Sequence, residues 1–358
     1  LTAPTTARDP RPLLHRLLGA QESGLVVVIA LVVIALAIFG GTKPKRVQDA
    51  AGEWTTTQVN SFLDTQNLVL VAKDASFIAI MAVGMTAVII TAGIDLSIGS
   101  IYGLAAILGA MALKKLSPEA SWFVTVPAAL AICMSIGALC GTINGSLIVG
   151  LRVHPFVITL GMLAALRGIT ILFPKELLGT QSIGGFPHSF TKGFFKAEFA
   201  GLYPVPAILM LCVTAIGWLV LSKTVFGRRI YAIGGNETAA RYAGVPVKRV
   251  LVAVYALTGM LAGLSACVYL GYLGAAETSA GSGYELRVIA ACVIGGASLM
   301  GGRGTAIGAM LGAILVELIS NAMIILQIDQ DYNQIVMGTA IILAVVIDQS
   351  KARLRRRK

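Results

Sequence analysis

An all-α polytopic membrane protein with about ten transmembrane helices is the fold class this sequence predicts, and three observations predict it. Hydrophobic residues make up 56 % of the 358 and charged residues only 13 %, with mean hydropathy +0.84; a soluble domain carries about 25 % charged residues. Ten apolar runs recur along the chain, most of them long enough to cross the roughly 30 Å of a bilayer's hydrocarbon. Forty glycines suit helices that pack closely through small residues.

Residues 1–23 form a polar arm with Arg8, Arg11 and Arg16, expected in the cytoplasm. Residues 24–41 are the first apolar run. At roughly 17 residues this run is long for a signal-peptide core and no A-x-A site follows it, so it reads as a retained span running outward. Residues 42–66 make a mixed-charge external segment. The later runs are 67–92, 97–113, 121–149, 155–173, 204–221, 251–270, 286–300, 305–326 and 332–347, so one membrane domain fills 24–347. Its long external loop is 174–203, its polar cytoplasmic loop 225–250, and a basic cytoplasmic tail occupies 348–358. The run 286–300 is short for a span and is expected to be tilted, broken or partly re-entrant.

Charge orients these spans. Segments assigned inside carry 17 Lys and Arg and those assigned outside carry nine, with Arg167 and Arg287 at external span ends. Cations concentrate on the cytoplasmic side of membrane proteins, so both termini are expected inside. The net charge of +11 is then an orientation signal and not a nucleic-acid footprint. Spans two to five and seven to ten run in opposite directions, as an inverted repeat requires. A shift of 177 residues pairs Asn144 with Asn321 and Gly161 with Gly338, whereas a rival shift of 203 pairs Gly93 with Gly296 in a parallel repeat; the span count favours the first.

Within the polar loop a complete set of helix signals surrounds a two-turn segment. Asn236 is placed to cap it, Glu237 puts an anion in the first turn and Arg241 a cation near the last. Gly244 supplies a left-handed stop and Pro246 bars continuation, which predicts a helix over Glu237–Ala243. Helices that short are marginal alone. Two readings stand: a rod that takes force from a cytoplasmic partner, or an ordinary inter-span loop with a turn of helix.

Elsewhere the hairpin TAGIDLSIGS, residues 91–100, places Gly93 to end one helix and Asp95 or Ser97 to cap the next. Gly137, Gly141 and Gly145, like Gly304, Gly308 and Gly312, make bare stripes for close helix contact. Glu317 is expected to face the bundle interior beside a polar neighbour. Cys133, Cys140, Cys212, Cys267 and Cys292 lie in apolar runs at no metal-ligand spacing. There is no G-x-x-x-x-G-K-[ST] phosphate loop, and His15, His154 and His188 form no catalytic pattern. An integral-membrane enzyme therefore has no chemistry to stand on, and no metal or catalytic residue is expected.

Four stretches carry a resemblance: MAVGMTAVIITAGIDLSIGS (81–100), NGSLIVGLRVHPFVITLGMLAALRG (144–168), FGRRIYAIGGNETAARYAGV (226–245) and GYELRVIAACVIGGASLMGGRGT (283–305). Together they resemble the permease subunit of bacterial ATP-binding-cassette sugar importers of the ribose/xylose/arabinose type, over nearly all of residues 67–347. One departure is Arg287, where many members carry an acidic residue. The resemblance implies a permease homodimer in the inner (plasma) membrane, flanked by cytoplasmic ATPase subunits that bind ATP and Mg, and fed by a periplasmic or extracellular sugar-binding protein. It implies that Gly234, Gly235, Asn236, Glu237, Ala240, Arg241 and Gly244 form the helix that couples to the ATPase. A neutral, hydroxyl-rich sugar needs scattered hydrogen-bonding groups along its path, for which Thr91, Asp95, Ser97, Tyr102 and Asn144 are candidates. Arg167 and Arg287 are candidates for docking the binding protein. The alternative is a secondary transporter or facilitator of small polar solutes, against which stand the capped loop helix and the scarcity of buried carboxylates.

Overall fold

The computed structural model describes residues 22–48, 54–199, 201–340, 342, 343 and 346. The basic tail and all but the end of the N-terminal arm lie outside the described residues, as does part of the run 332–347, which is helical over 333–340. In chain order the helices are α1 (Ser23–Phe39), α2 (Thr65–Ile90), α3 (Ile98–Lys114), α4 (Trp122–Leu151), α5 (Pro155–Leu178) and α6 (Val205–Lys223). There follow α7 (Val225–Gly235), α8 (Glu237–Tyr242), α9 (Val247–Leu273), α10 (Tyr284–Ile294), α11 (Ala306–Ile325) and α12 (333–340). Among the described residues six helices, α2, α4, α5, α6, α9 and α11, are long and apolar enough to cross a membrane, and α1 and α3 are shorter apolar helices.

Helices α2 and α9 meet at the centre, and the remaining packing is reciprocal about them: α4 lies on α9 while α11 lies on α2. Likewise α3 packs on α4 and α9, and α10 packs on α11 and α2. The glycine stripes make these contacts possible. A side chain at Gly137 would strike the Gly259 carbonyl, one at Gly259 the Gly137 carbonyl, and one at Gly141 the Tyr255 carbonyl. On the other seam Gly308 meets Gly295, and Gly312 meets the Ala291 carbonyl. Gly304, expected in that stripe, precedes α11 and belongs to the loop before it. Asn67 of α2 and Asn321 of α11 tie their seam by exchanging two buried amide hydrogen bonds of 3.1 and 2.7 Å.

Several boundaries differ from expectation for local reasons. The run 286–300 is helical only to Ile294; residues 295–304 form a loop with left-handed glycines at 296, 301 and 302, so this is the broken element anticipated. Helix α9 starts at Val247, ahead of its apolar run, because Val247 and Val250 are buried at three-residue spacing while Lys248 and Arg249 stay exposed between them. Helix α7 has no counterpart in the sequence reading. Its buried face is Gly227, Ile230 and Ile233, a narrow stripe hidden beside Arg228 and Arg229, and Thr224 caps it by accepting from the Gly227 N–H at 3.1 Å.

At the opposite end from α7 and α8, the mixed-charge segment is an antiparallel hairpin, β1 (Thr42–Gln48) with β2 (Trp54–Asn60). Asp64 anchors it, holding Lys43 at 2.7 Å and also pairing with Lys45, and these ammonium groups lower its carboxyl to a pKa of about 2. Two short strands, β3 (Ser182–Gly184) and β4 (Ala275–Glu277), pair antiparallel beside a cluster of Phe186, Phe190 and Phe195 and join the long loop to the end of α9.

Candidate functional site

Helix α8 forms where the capping residues place it. The Asn236 side chain accepts from the Ala239 N–H at 2.9 Å, and Glu237 pairs with Arg241 one turn on at 2.6 Å. The helix ends at Tyr242, one residue before the expected Ala243, and Gly244 takes the left-handed conformation (φ 81°). The Val245 N–H then closes back on the Ala240 carbonyl at 3.0 Å. Ala240 is the one buried residue of α8, whereas Tyr242 is 88 % exposed. The rod is thus nearly bare, attached to the bundle by a single methyl group and its two ends.

Its N-terminal end is seated through α7. Gly234 lies so close to the Ile90 carbonyl and the Gly302 N–H that no side chain fits, and Gly302 N–H donates to that carbonyl at 2.8 Å. Tyr231 adds a 2.6 Å hydrogen bond to the Gly304 carbonyl. Gly235, by contrast, has open space around it. The end of α2 and the glycine loop 295–304 therefore form the socket for the α7–α8 unit.

Immediately after that socket comes the Thr91–Ser97 turn. Ala92, not Gly93, adopts the left-handed conformation that ends α2 (φ 59°). Nor does Asp95 or Ser97 cap α3 as expected: Ser97 occupies the cap position but its side chain accepts nothing from the first turn. Instead Asp95 Oδ1 accepts from both the N–H and the hydroxyl of Ser97 at 2.9 and 2.6 Å, and Asn144 Nδ2 of α4 donates to Ser97 Oγ at 2.7 Å. The Ile94 carbonyl accepts from Thr159 of α5 and Tyr255 of α9, each at 3.4 Å. The turn between α2 and α3 is thereby braced to three helices.

Of the five candidate pathway residues, the structure brings Asp95, Ser97 and Asn144 together as this buried brace. Tyr102 is buried elsewhere, between the rings of Tyr269 and Tyr284 at centroid distances of 5.5 and 5.3 Å. None of these four lines an open path. Thr91 borders a cavity of about 500 Å³ between the Thr91–Gly93 turn, the α4–α5 turn, α8 and the start of α9, which the other four do not line. Arg152, His154, Lys248 and Tyr255 also line it, and sequence spacing gave no sign of that meeting.

The two arginines expected to face outward are engaged inside the chain. Arg167 donates to the Ala280 carbonyl at 2.8 Å and the Thr278 carbonyl at 3.4 Å. Arg287 pairs with Glu317 at 2.8 Å, donates to Ser320 Oγ at 2.9 Å and stacks over Tyr284. Glu317 thus has the interior polar partner expected of it. Arg287→Ala would leave this carboxylate buried and uncompensated, at a cost of about 3 kcal/mol. Thermal unfolding in detergent is expected to show that loss, and Glu317→Gln in the same chain to recover part of it.

Comparison with known proteins agrees with this architecture. Residues 67–345 match the family described as branched-chain amino acid transport system / permease component. The chain is 39 % identical over 292 residues to the ribose import permease protein of Escherichia coli K12, covering 81 % of this chain and 88 % of that one. It is 39 % identical over 297 residues to the ribose import permease protein of Bacillus subtilis 168, covering 82 % and 87 %. With the D-allose transport system permease protein of Escherichia coli K12 it shares 36 % identity over 329 residues, 92 % of each chain. Helices that cross a membrane, seams of bare glycine and a match over most of its length place the chain in this family: it is a multi-pass membrane permease component of a transport system.

Proposed function

We propose that this chain is the permease subunit of an ATP-binding-cassette importer in the bacterial inner membrane and carries a monosaccharide, a pentose or a hexose. The family description names branched-chain amino acids, but the similar relatives are named for ribose and D-allose, which favours the sugar. In this reading an external binding protein delivers the sugar, and a separate cytoplasmic ATPase binds ATP and Mg and supplies the work. The observation that carries it is α8: a capped two-turn rod with one buried residue and an exposed Tyr242 at its tip. Gly234, Gly235, Asn236, Glu237, Ala240, Arg241 and Gly244 define that rod, and the ATPase groove supplies the partner a helix this short needs.

Movement of α8 reaches the pathway through its socket. The α7–α8 unit bears on the end of α2 and the 295–304 loop, and the adjoining turn is braced to α4, α5 and α9 through Asp95, Ser97, Asn144 and the Ile94 carbonyl. Pushing α8 therefore shifts the α2–α3 junction against those helices, and the bundle rocks as alternating access requires. The reciprocal packing of α4 on α9 and α11 on α2 supports an inverted repeat of spans two to five and seven to ten within ten spans, and the distribution of Lys and Arg along the sequence favours α8 and both termini on the cytoplasmic side. Helix α5 is the least enclosed of the long helices, and Gly161 and Gly168 on it face open space. A second copy of the chain packing on this face gives the homodimer, with the sugar passing at its axis, Thr91 as a donor at the cavity and Tyr102 as a donor exposed when the bundle opens. With Arg167 and Arg287 engaged internally, docking of the binding protein falls to other external groups.

Reconstituted vesicles test the reading. Uptake of a radiolabelled pentose or hexose is expected only with binding protein, ATPase and ATP all present. Uptake that persists without ATP would replace it with the facilitator.

A further inference from the structure

The cavity beside α8 carries a charge that force transmission does not use. Its rim holds Arg152, His154, Arg241 and Lys248 against one carboxylate, Glu237, and that carboxylate is already paired with Arg241. Among the described residues, neither Arg152 nor Lys248 is paired with a carboxylate. Lys248 also sits in the first turn of α9, which contains no acidic residue and whose cap position, Pro246, makes no side-chain hydrogen bond. A helix N-terminus is itself electropositive, so a cation there is unfavourable until an anion joins it. His154 Nδ1 accepts from the Phe156 N–H at 3.3 Å, which leaves the proton of a neutral ring on Nε2 as a further donor.

The floor is different in kind. Ile148, Leu251 and Tyr255 supply apolar surface beneath the cationic rim. A volume of about 500 Å³ is more than a bare inorganic anion fills, and lies in the range of pockets for small organic ligands. Cationic rim and apolar floor together match a phosphate group on a carbon body.

We propose that this cavity binds a phosphate ester, gripped by Arg152, Lys248 and Arg241 across the α4–α5 turn, α9 and α8. A ligand so held ties α8 to the bundle and slows transport. This consequence rests on α8 acting as the lever; the binding itself does not. The phosphate has two possible sources, a soluble phosphomonoester or the head of an anionic lipid, and both present the same chemistry to the rim.

The test uses the full chain in phosphatidylcholine nanodiscs, with ribose 5-phosphate, inorganic phosphate and ribose as calorimetric probes. A second preparation contains phosphatidylglycerol and is examined by native mass spectrometry for retained lipid. Ribose 5-phosphate is expected to bind and ribose not, with affinity at least about tenfold weaker in the Arg152→Gln/Lys248→Gln variant, as the loss of 1.4 kcal/mol or more requires. Arg152→Lys is expected to retain most of the binding, which separates loss of charge from loss of fold. Phosphatidylglycerol retained by the wild type and lost from the double variant, without soluble binding, would identify the lipid as the source. If no phosphate compound, soluble or lipid, distinguishes the wild type from the double variant, the site does not exist. Because no ATPase is present, these results stand or fall apart from the lever. Adding the bound probe to the coupled vesicle assay then reads the brake, and unchanged uptake would overturn it.

Discussion

Asn236→Pro is expected to abolish coupled uptake while leaving the chain inserted in the membrane. Asn236 has φ −162°, whereas proline is fixed near −65°. The substitution also removes the Asn236 N–H that donates to the Ala232 carbonyl at 3.1 Å and the side chain that accepts from Ala239. Loss of the cap alone costs about 1 kcal/mol, and a proline forced into helical hydrogen bonding about 3 kcal/mol or more. Helix α8 has one buried residue to set against this, so its population falls by about 700-fold or more, at tenfold for each 1.4 kcal/mol. Sugar transported per ATP hydrolysed is the quantity to measure, with membrane insertion followed in parallel. Asn236→Ser keeps a capping oxygen and should remain coupled. Normal coupled uptake by the proline variant would remove α8 as the lever.

That experiment bears on the part of the chain whose sequence was easiest to read. Asn236, Glu237, Arg241 and Gly244 signal a helix through contacts made within a few residues, so its position was predictable to a single residue at the C-terminus. The spans were legible for a related reason: a bilayer demands long apolar runs whatever their partners. Other features depend on partners distant in sequence. Helix α7 is held by a buried stripe of Gly227, Ile230 and Ile233, and its seat against Ile90 and Gly302 cannot be read from residues 225–235 alone. Arg287 looked like a free external cation because Glu317, which holds it, lies a whole helix away. Asp95 suited a cap by type and position, yet Ser97 draws its carboxylate sideways into the brace with Asn144. The left-handed Ala92 beside an available Gly93 has the same origin, since Gly93 sits where a side chain would strike the Tyr255 hydroxyl and Val88. In each case local chemistry named the right residue types, and tertiary contact decided their use.

Gly259→Val should cost the protein its fold more severely than any change in the pathway itself. At the α4–α9 seam the obstacle to a new side chain is backbone: a Cβ at Gly259 would meet the Gly137 carbonyl, and one at Gly263 the Cys133 carbonyl. A side chain in the way can change rotamer, but a helix backbone can yield only by moving the whole helix. Overpacking costs about 1–3 kcal/mol where neighbours adjust, and with rigid neighbours on both helices the upper end, about 3 kcal/mol, is expected. Since α4 carries Asn144 and α9 carries Tyr255, separating these helices also pulls apart two supports of the Thr91–Ser97 turn. Lower melting temperature and lower monodisperse yield in detergent are the expected readings, with Gly259→Ala intermediate. Gly150→Val is the control, because it lies on α4, the helix that packs against Gly259 of α9, but with open space around it, and should melt like the wild type. Equal melting of Gly259→Val and Gly150→Val would mean that the two halves do not depend on this seam, and that the brace must hold the turn without it.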